Sequence, residues 1–206
     1  MKRMSYRDIK ERTGGFTLLE VVVVLGIMVI VVGMMLANFP RFRENLSIER
    51  EGSKLVLALR KAQSYALGVR EFSAPGITLN DDPFCTTPPV KFPGYGVFID
   101  TSLDKEYIIF GDVNCSRWFE TFPVNEEITK TKTELQINIG NITAYGPSCL
   151  TGCAVDMLGV LYLRPGPIIF ISDGLSDYDY AEISLRSKGG IIKTVVVRSS
   201  GQVSIQ

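Results

Sequence analysis

Residues 13–36, TGGFTLLEVVVVLGIMVIVVGMML, form an almost unbroken apolar run with a single acid, Glu20, near its start. From Val21 to Ala37 seventeen residues pass without a charge. As a helix they extend roughly 26 Å, close to a hydrocarbon core of about 30 Å, and Phe16–Leu19 and Phe39 lengthen the apolar stretch. The run therefore predicts a membrane-spanning helix at the head of the chain. A carboxylate carried into hydrocarbon costs on the order of several kcal/mol, so Glu20 requires a partner or a purpose.

Outward from this run the charges are uneven. The whole chain of 206 residues is balanced, with 22 basic and 22 acidic side chains. The first fifteen residues, however, hold Lys2, Arg3, Arg7, Lys10 and Arg12 against Asp8 and Glu11 only. Basic residues before the apolar run keep the amino terminus in the cytoplasm and send the body across the membrane, although Arg41 and Arg43 pull weakly the other way. A cleaved secretory signal fits less well, since Met35-Leu36-Ala37 is a poor small-residue cleavage site. A plain signal anchor leaves Glu20 unexplained.

Histidine is absent, which removes the usual general base and the commonest transition-metal ligand, so an enzyme is not expected. Ser102-Leu103-Asp104-Lys105 has S-x-x-K spacing, but it falls in a predicted turn and has no companion motif. No cofactor is implied. Asp173, Asp177 and Asp179 in SDGLSDYDYAE are candidate calcium ligands, with a polar loop between strands as the competing reading.

The four cysteines lie beyond the apolar run, as suits an exported body. Cys149 and Cys153 are near enough in sequence for a small loop disulfide, leaving Cys85 and Cys115 as the other pair. Three connectivities are open to four cysteines, and free thiols are the alternative.

Gly15-Phe16-Thr17-Leu18-Leu19-Glu20, after a basic leader and before a valine-rich run, resembles the class III signal of type IV pilins and type II secretion pseudopilins. The resemblance implies cleavage by a prepilin peptidase between Gly15 and Phe16, N-methylation of Phe16, and pairing of Glu20 with the new α-amino group of a neighbouring subunit. Such a pair also sets the stagger between subunits. Pairing within one chain is the second choice, since residues four apart are helix neighbours.

In the body, Gly26, Gly33 and Pro40 weaken the helix, so a bend or local melting is expected on leaving the bilayer. Residues 41–71 read as a second helical stretch, with Ile48, Leu55, Leu59, Ala62 and Ala66 on one face. Arg41, Arg43, Glu44, Glu49, Arg50, Glu51, Arg60 and Lys61 supply much of the polar remainder. After a proline-rich loop at 80–94, strands are predicted at 95–100, 106–111, 133–146, 160–165, 167–172, 180–186, 191–199 and 202–206, the last two as a hairpin about Ser200-Gly201. The expected class is α+β: one long N-terminal helix packed on antiparallel sheets.

The segment LRKAQSYAL and the succession LYLRPG…AEISLRSKGGIIKTVVVRSSGQVSI are similar to the H-type minor pseudopilins and their FimT-like minor pilin relatives. This implies a leader at 1–15, an assembly helix at 16–39 and an extracytoplasmic pilin-like domain at 40–206, held in a bacterial inner membrane or in a pilus or pseudopilus. Implied partners are other pilin-like subunits, the prepilin peptidase and the inner-membrane assembly platform. The alternative is a DNA-binding minor pilin acting in DNA uptake. Arg186, Lys188, Lys193 and Arg198 are the residues in question, and a solvated strand face also accounts for them, so nucleic acid is not an expected partner.

Overall fold

The computed structural model describes residues 15–73, 78–82, 85–103, 105–122, 124–133, 137–164 and 168–206. The basic leader, the opening residues of the 133–146 strand candidate and the Pro165-Gly166 turn lie largely or wholly outside these residues. The chain divides into two compact units between Phe42 and Arg43.

Helix α1, Leu18–Leu67, enters both units. Pro40 lies inside it, at the place where the sequence predicts a bend or local melting; the proline supplies no N–H, so the Leu36 carbonyl lacks its usual intrahelical donor. Ile48, Leu55, Leu59, Ala62 and Ala66 are all buried, as their spacing predicts.

Glu51 departs from its expected place on the polar side. It lies three residues after Ile48 and four before Leu55, hence inside the apolar stripe, and it is fully buried. Lys54 reaches its Oε1 at 2.6 Å, while Oε2 has no hydrogen-bond partner.

The helix ends four residues earlier than expected. Arg70 N–H bonds to the Tyr65 carbonyl and Val69 N–H to that of Ala66, a Schellman closure whose left-handed position is filled by Val69 at φ 52°.

Among the described residues, ten strands build two antiparallel sheets. In the first, β3 (Glu127–Lys132), β2 (Glu106–Asp112), β1 (Gly94–Asp100), β6 (Met157–Leu163) and β7 (Ile168–Ser172) lie in that order. In the second the order is β10 (Val203–Ile205), β9 (Ile192–Arg198), β8 (Tyr180–Ser187), β4 (Ile137–Gly146) and β5 (Cys149–Val155). The β9–β10 hairpin turns on Gly201 at φ 87°, where the Ser200-Gly201 pair predicts it.

Two strands have no counterpart among those predicted. β3, EITKTK, has Ile128 as its one apolar residue, and β5, CLTGCAV, is interrupted by Gly152; both are sheet edges, where one partner strand suffices.

Alternation divides the strand side chains between two environments. Val97, Ile99, Tyr107, Ile109, Val160 and Tyr162 join the buried helix face and Ile139, Ile142, Ile183, Leu185, Val195 and Val197 of the second sheet in one core. Phe98, Ile108, Phe110 and Leu161 point to the opposite face of the first sheet and form a separate cluster with Trp118, Phe119, Leu163 and Phe170. At the β8–β9 turn, Gly189 N–H donates to the Glu44 carboxylate and ties the turn to α1.

Candidate functional site: the apolar helix and its amino-terminal turn

Thr17 stands at the N-cap of α1 and Glu20 at its third helical position. The Thr17 hydroxyl oxygen accepts the Glu20 backbone N–H at 3.2 Å, and the Val21 N–H reaches the Thr17 carbonyl at 3.3 Å. T-x-x-E is the sequence signature of a capping box, a signal in residues 17–20 that the membrane pattern overshadows. An acid in the first turn also meets the positive end of the helix dipole, worth roughly 0.3–1 kcal/mol at an exposed site. Glu20 thus has a local structural use even in a single chain. Gly15 and Phe16 precede the helix, and Phe16 is 80% exposed, so the Gly15-Phe16 peptide bond lies outside helical hydrogen bonding.

Beyond Glu20 the large apolar side chains from Val21 to Leu36 are 45–72% exposed, all the way round the helix. A helix that is apolar on every side is stable only in lipid or among other helices. Eleven of these sixteen residues are Val, Ile or Leu. At about 0.3–0.6 kcal/mol each, they contribute roughly 3–7 kcal/mol toward insertion. An acid at the centre of the span costs about 3 kcal/mol on the same kind of scale, and Glu20 sits at the edge, so insertion wins. α1 is the one helix among the described residues long and apolar enough to cross a membrane.

The four carboxy-terminal cations are distributed along the β8–β9 pair. Arg186 pairs across the strands with Ile192 and Arg198 with Tyr180, so six residues, roughly 20 Å, separate the two arginines along the ladder. Arg198 lies over the Tyr180 ring at 5.1 Å, Lys188 is in the β8–β9 turn, and Lys193 is opposite the buried Leu185. Glu182 lies between the arginine positions on β8.

The three aspartates do not converge as ligands either. Asp173 Oδ1 accepts the N–H groups of Leu175 and Ser176 at 2.9 and 2.8 Å, and its Oδ2 accepts the Tyr178 hydroxyl at 2.8 Å. Burial raises its pKa, but these bonds prevail and hold it below the ordinary aspartate value. Asp177 bridges to Ser172, and Asp179 gives its N–H to the Tyr145 carbonyl. Among the described residues no group of three or more acidic or cysteine side chains is placed to hold a metal ion. Asp173 organises a turn between strands, as the polar-loop reading of this segment expects.

Disulfides join Cys85 to Cys115 and Cys149 to Cys153. The first clips the proline-rich loop to the segment after β2. The second closes a five-residue ring along edge strand β5.

One further constellation, Asp112 and Glu126, carries no signal in the sequence pattern. Both are buried, at 2% and 0% exposure. Their positions at the end of β2 and just before β3 become adjacent only through strand pairing. Comparison with protein-family models, with curated proteins and with solved structures returns no match to this chain.

Proposed function

We propose that this chain is a minor pilin or pseudopilin, a structural subunit of a type II secretion pseudopilus or a type IV pilus. The observation that carries the reading is the amino-terminal turn: a Gly15-Phe16 junction outside the helix, followed by Glu20 as the lone acid of the apolar stretch that runs to Phe39. A prepilin peptidase would cut before Phe16 and leave a cationic amine at the end of the apolar segment. In a bundle of such helices, Glu20 of one subunit neutralises the Phe16 amine of the next. Two opposed charges are tolerated in an apolar bundle where one alone is not, and the pairing sets the axial register. The partners are then other pilin-like subunits, the peptidase and the inner-membrane assembly platform. The body lies outside the cytoplasm, where its two disulfides are stable.

The test is co-expression with a prepilin peptidase and intact-mass analysis. The expected product begins at Phe16, with one added methyl group where the enzyme carries that activity. A product beginning near Asn38, or an uncut chain in the presence of an enzyme active on its own prepilin, refutes the proposal.

A further inference from the structure

One end of the body carries a basic rim that the assembly role does not use. Glu44, the second residue of the body's share of α1, accepts the Gly189 N–H of the β8–β9 turn, and any side chain at position 189 would run into its carboxylate. Arg43 precedes the first of these two residues and Lys188 the second, so the bond brings two cations to the same end. Arg186 joins them, because it pairs with Ile192 at the last register position before the turn. All three cations are exposed, and Ile192, directly opposite Arg186, is 51% exposed.

The acids around this rim leave it positive. Glu44 is taken up by the Gly189 N–H, and no acidic side chain follows Glu182 in the chain. Glu49 stands five residues further along α1, about 8 Å from Glu44 along the axis. The end of β3 reaches the same end of the body, since the Thr133 hydroxyl donates to the Ile137 carbonyl at 2.7 Å and Ile137 is opposite Ser187. There Glu106 is shared by Lys130 and Lys132, which leaves one further cation in excess.

Chain connection limits how far this rim can stand from a bilayer. Six residues separate Arg43 from Ala37, where the charge-free run ends. At no more than about 3.6 Å each, they hold Arg43 within roughly 22 Å of that point however the two units are turned. A lipid surface is therefore always within reach of these cations.

We propose that Arg43, Arg186 and Lys188, with Ile192 beside them, form a docking rim for anionic phospholipid headgroups, which holds the body against the membrane its own helix enters. Phosphate oxygens suit the forked guanidinium donors of the two arginines, the Lys188 ammonium adds a point charge, and the apolar Ile192 side chain enters the interfacial layer. Each cation at an anionic surface favours the docked state about fivefold, so three together give on the order of a hundredfold. The inference rests on the membrane helix and not on the pilin reading, so cleavage at Phe16 and docking of the rim succeed or fail separately.

The experiment uses the full-length protein in lipid nanodiscs, either of phosphatidylcholine alone or of an equal mixture with phosphatidylglycerol. A brief pulse of an uncharged amine-acylating reagent, read by peptide mass, gives the labelling of Lys188 relative to Lys61 of the same molecule. Lys61 is exposed and lies seventeen residues beyond Glu44 on α1, about 26 Å along the axis. The Lys188-to-Lys61 ratio should fall at least tenfold in the anionic discs and recover at about 1 M salt, where the screening length is about 3 Å. Arg43→Gln/Arg186→Gln keeps Lys188 but removes its two companions, and the fall should shrink to about fivefold or less. A ratio that is the same in both kinds of disc overturns the proposal. So does a double variant that keeps the full wild-type fall, because mere nearness to the surface would then account for it. Protection of Lys188 by a DNA duplex added to neutral discs, with none from anionic lipid, would assign the rim to nucleic acid and overturn it equally.

Discussion

Replacing Glu20 by alanine separates the cost of inserting an acid from its proposed use in assembly, because the local helix start survives the change. The N-cap bond runs from the backbone N–H of residue 20 to the Thr17 hydroxyl, and alanine keeps that N–H. What is lost locally is the charge at the helix dipole, roughly 0.3–1 kcal/mol, offset by alanine's higher helix propensity. Insertion becomes easier by up to about 3 kcal/mol. In a fibre built as proposed the balance reverses: removing one member of a buried pair costs about 3–5 kcal/mol, because the Phe16 amine would stay behind uncompensated. Since each 1.4 kcal/mol is about a factor of ten, incorporation should fall at least about a hundredfold. The assay compares variant and wild type in the same cells for membrane content, for cleavage at Phe16 by intact mass, and for content in sheared fibres or cross-linked pseudopili. The expected variant is inserted and cut but absent from fibres. Equal incorporation refutes the register role of Glu20; loss of insertion or cleavage would instead show that its function lies earlier.

The two disulfides should differ in worth because they close loops of different length, with sequence separations of 30 and 4. Chain-entropy arguments assign about 3–4 kcal/mol to Cys85–Cys115 and about 2 kcal/mol to Cys149–Cys153. Denaturant unfolding of the Cys85→Ser/Cys115→Ser and Cys149→Ser/Cys153→Ser doubles measures both, and the reverse ranking would show that strain or residual structure outweighs loop closure. Val69→Gly should stabilise the body by about 1 kcal/mol, since the β-branched side chain occupies a left-handed position at φ 52° that glycine adopts freely. A lower denaturation midpoint in the glycine variant would contradict this.

Features carried by local periodicity are legible in the residues alone. The apolar run, the five buried positions Ile48, Leu55, Leu59, Ala62 and Ala66, and the hairpin at Ser200-Gly201 each depend on residues a few positions apart. The helix end is not legible in this way, because a Schellman closure usually carries glycine at its left-handed position. Here Gly68 comes one residue early and Val69 takes that position. Glu51 has the phase of a buried residue and the chemistry of an exposed one, and a lone acid in an apolar stripe is more often at the polar edge. The capping box at Thr17–Glu20 is present in the residues themselves, masked by the hydropathy of the valine-rich run behind it.

By itself the sequence determined that the chain begins with a membrane-length apolar helix bearing one acid, followed by an amphipathic helical half and a strand-rich body. These are consequences of spacing along one segment, where burial of a face is the dominant energy. Only the tertiary structure decided which strands share a sheet, that EITKTK closes an edge of the first sheet and CLTGCAV an edge of the second, and which cysteines meet. It alone brought Asp112 beside Glu126 from across a long loop, and placed Phe98 and Phe110 on the far side of a sheet whose near face fills the core. The physical reason is the same in each case: strand pairing and disulfide formation join residues tens of positions apart, and a carboxyl group's ionisation depends on what surrounds it in space.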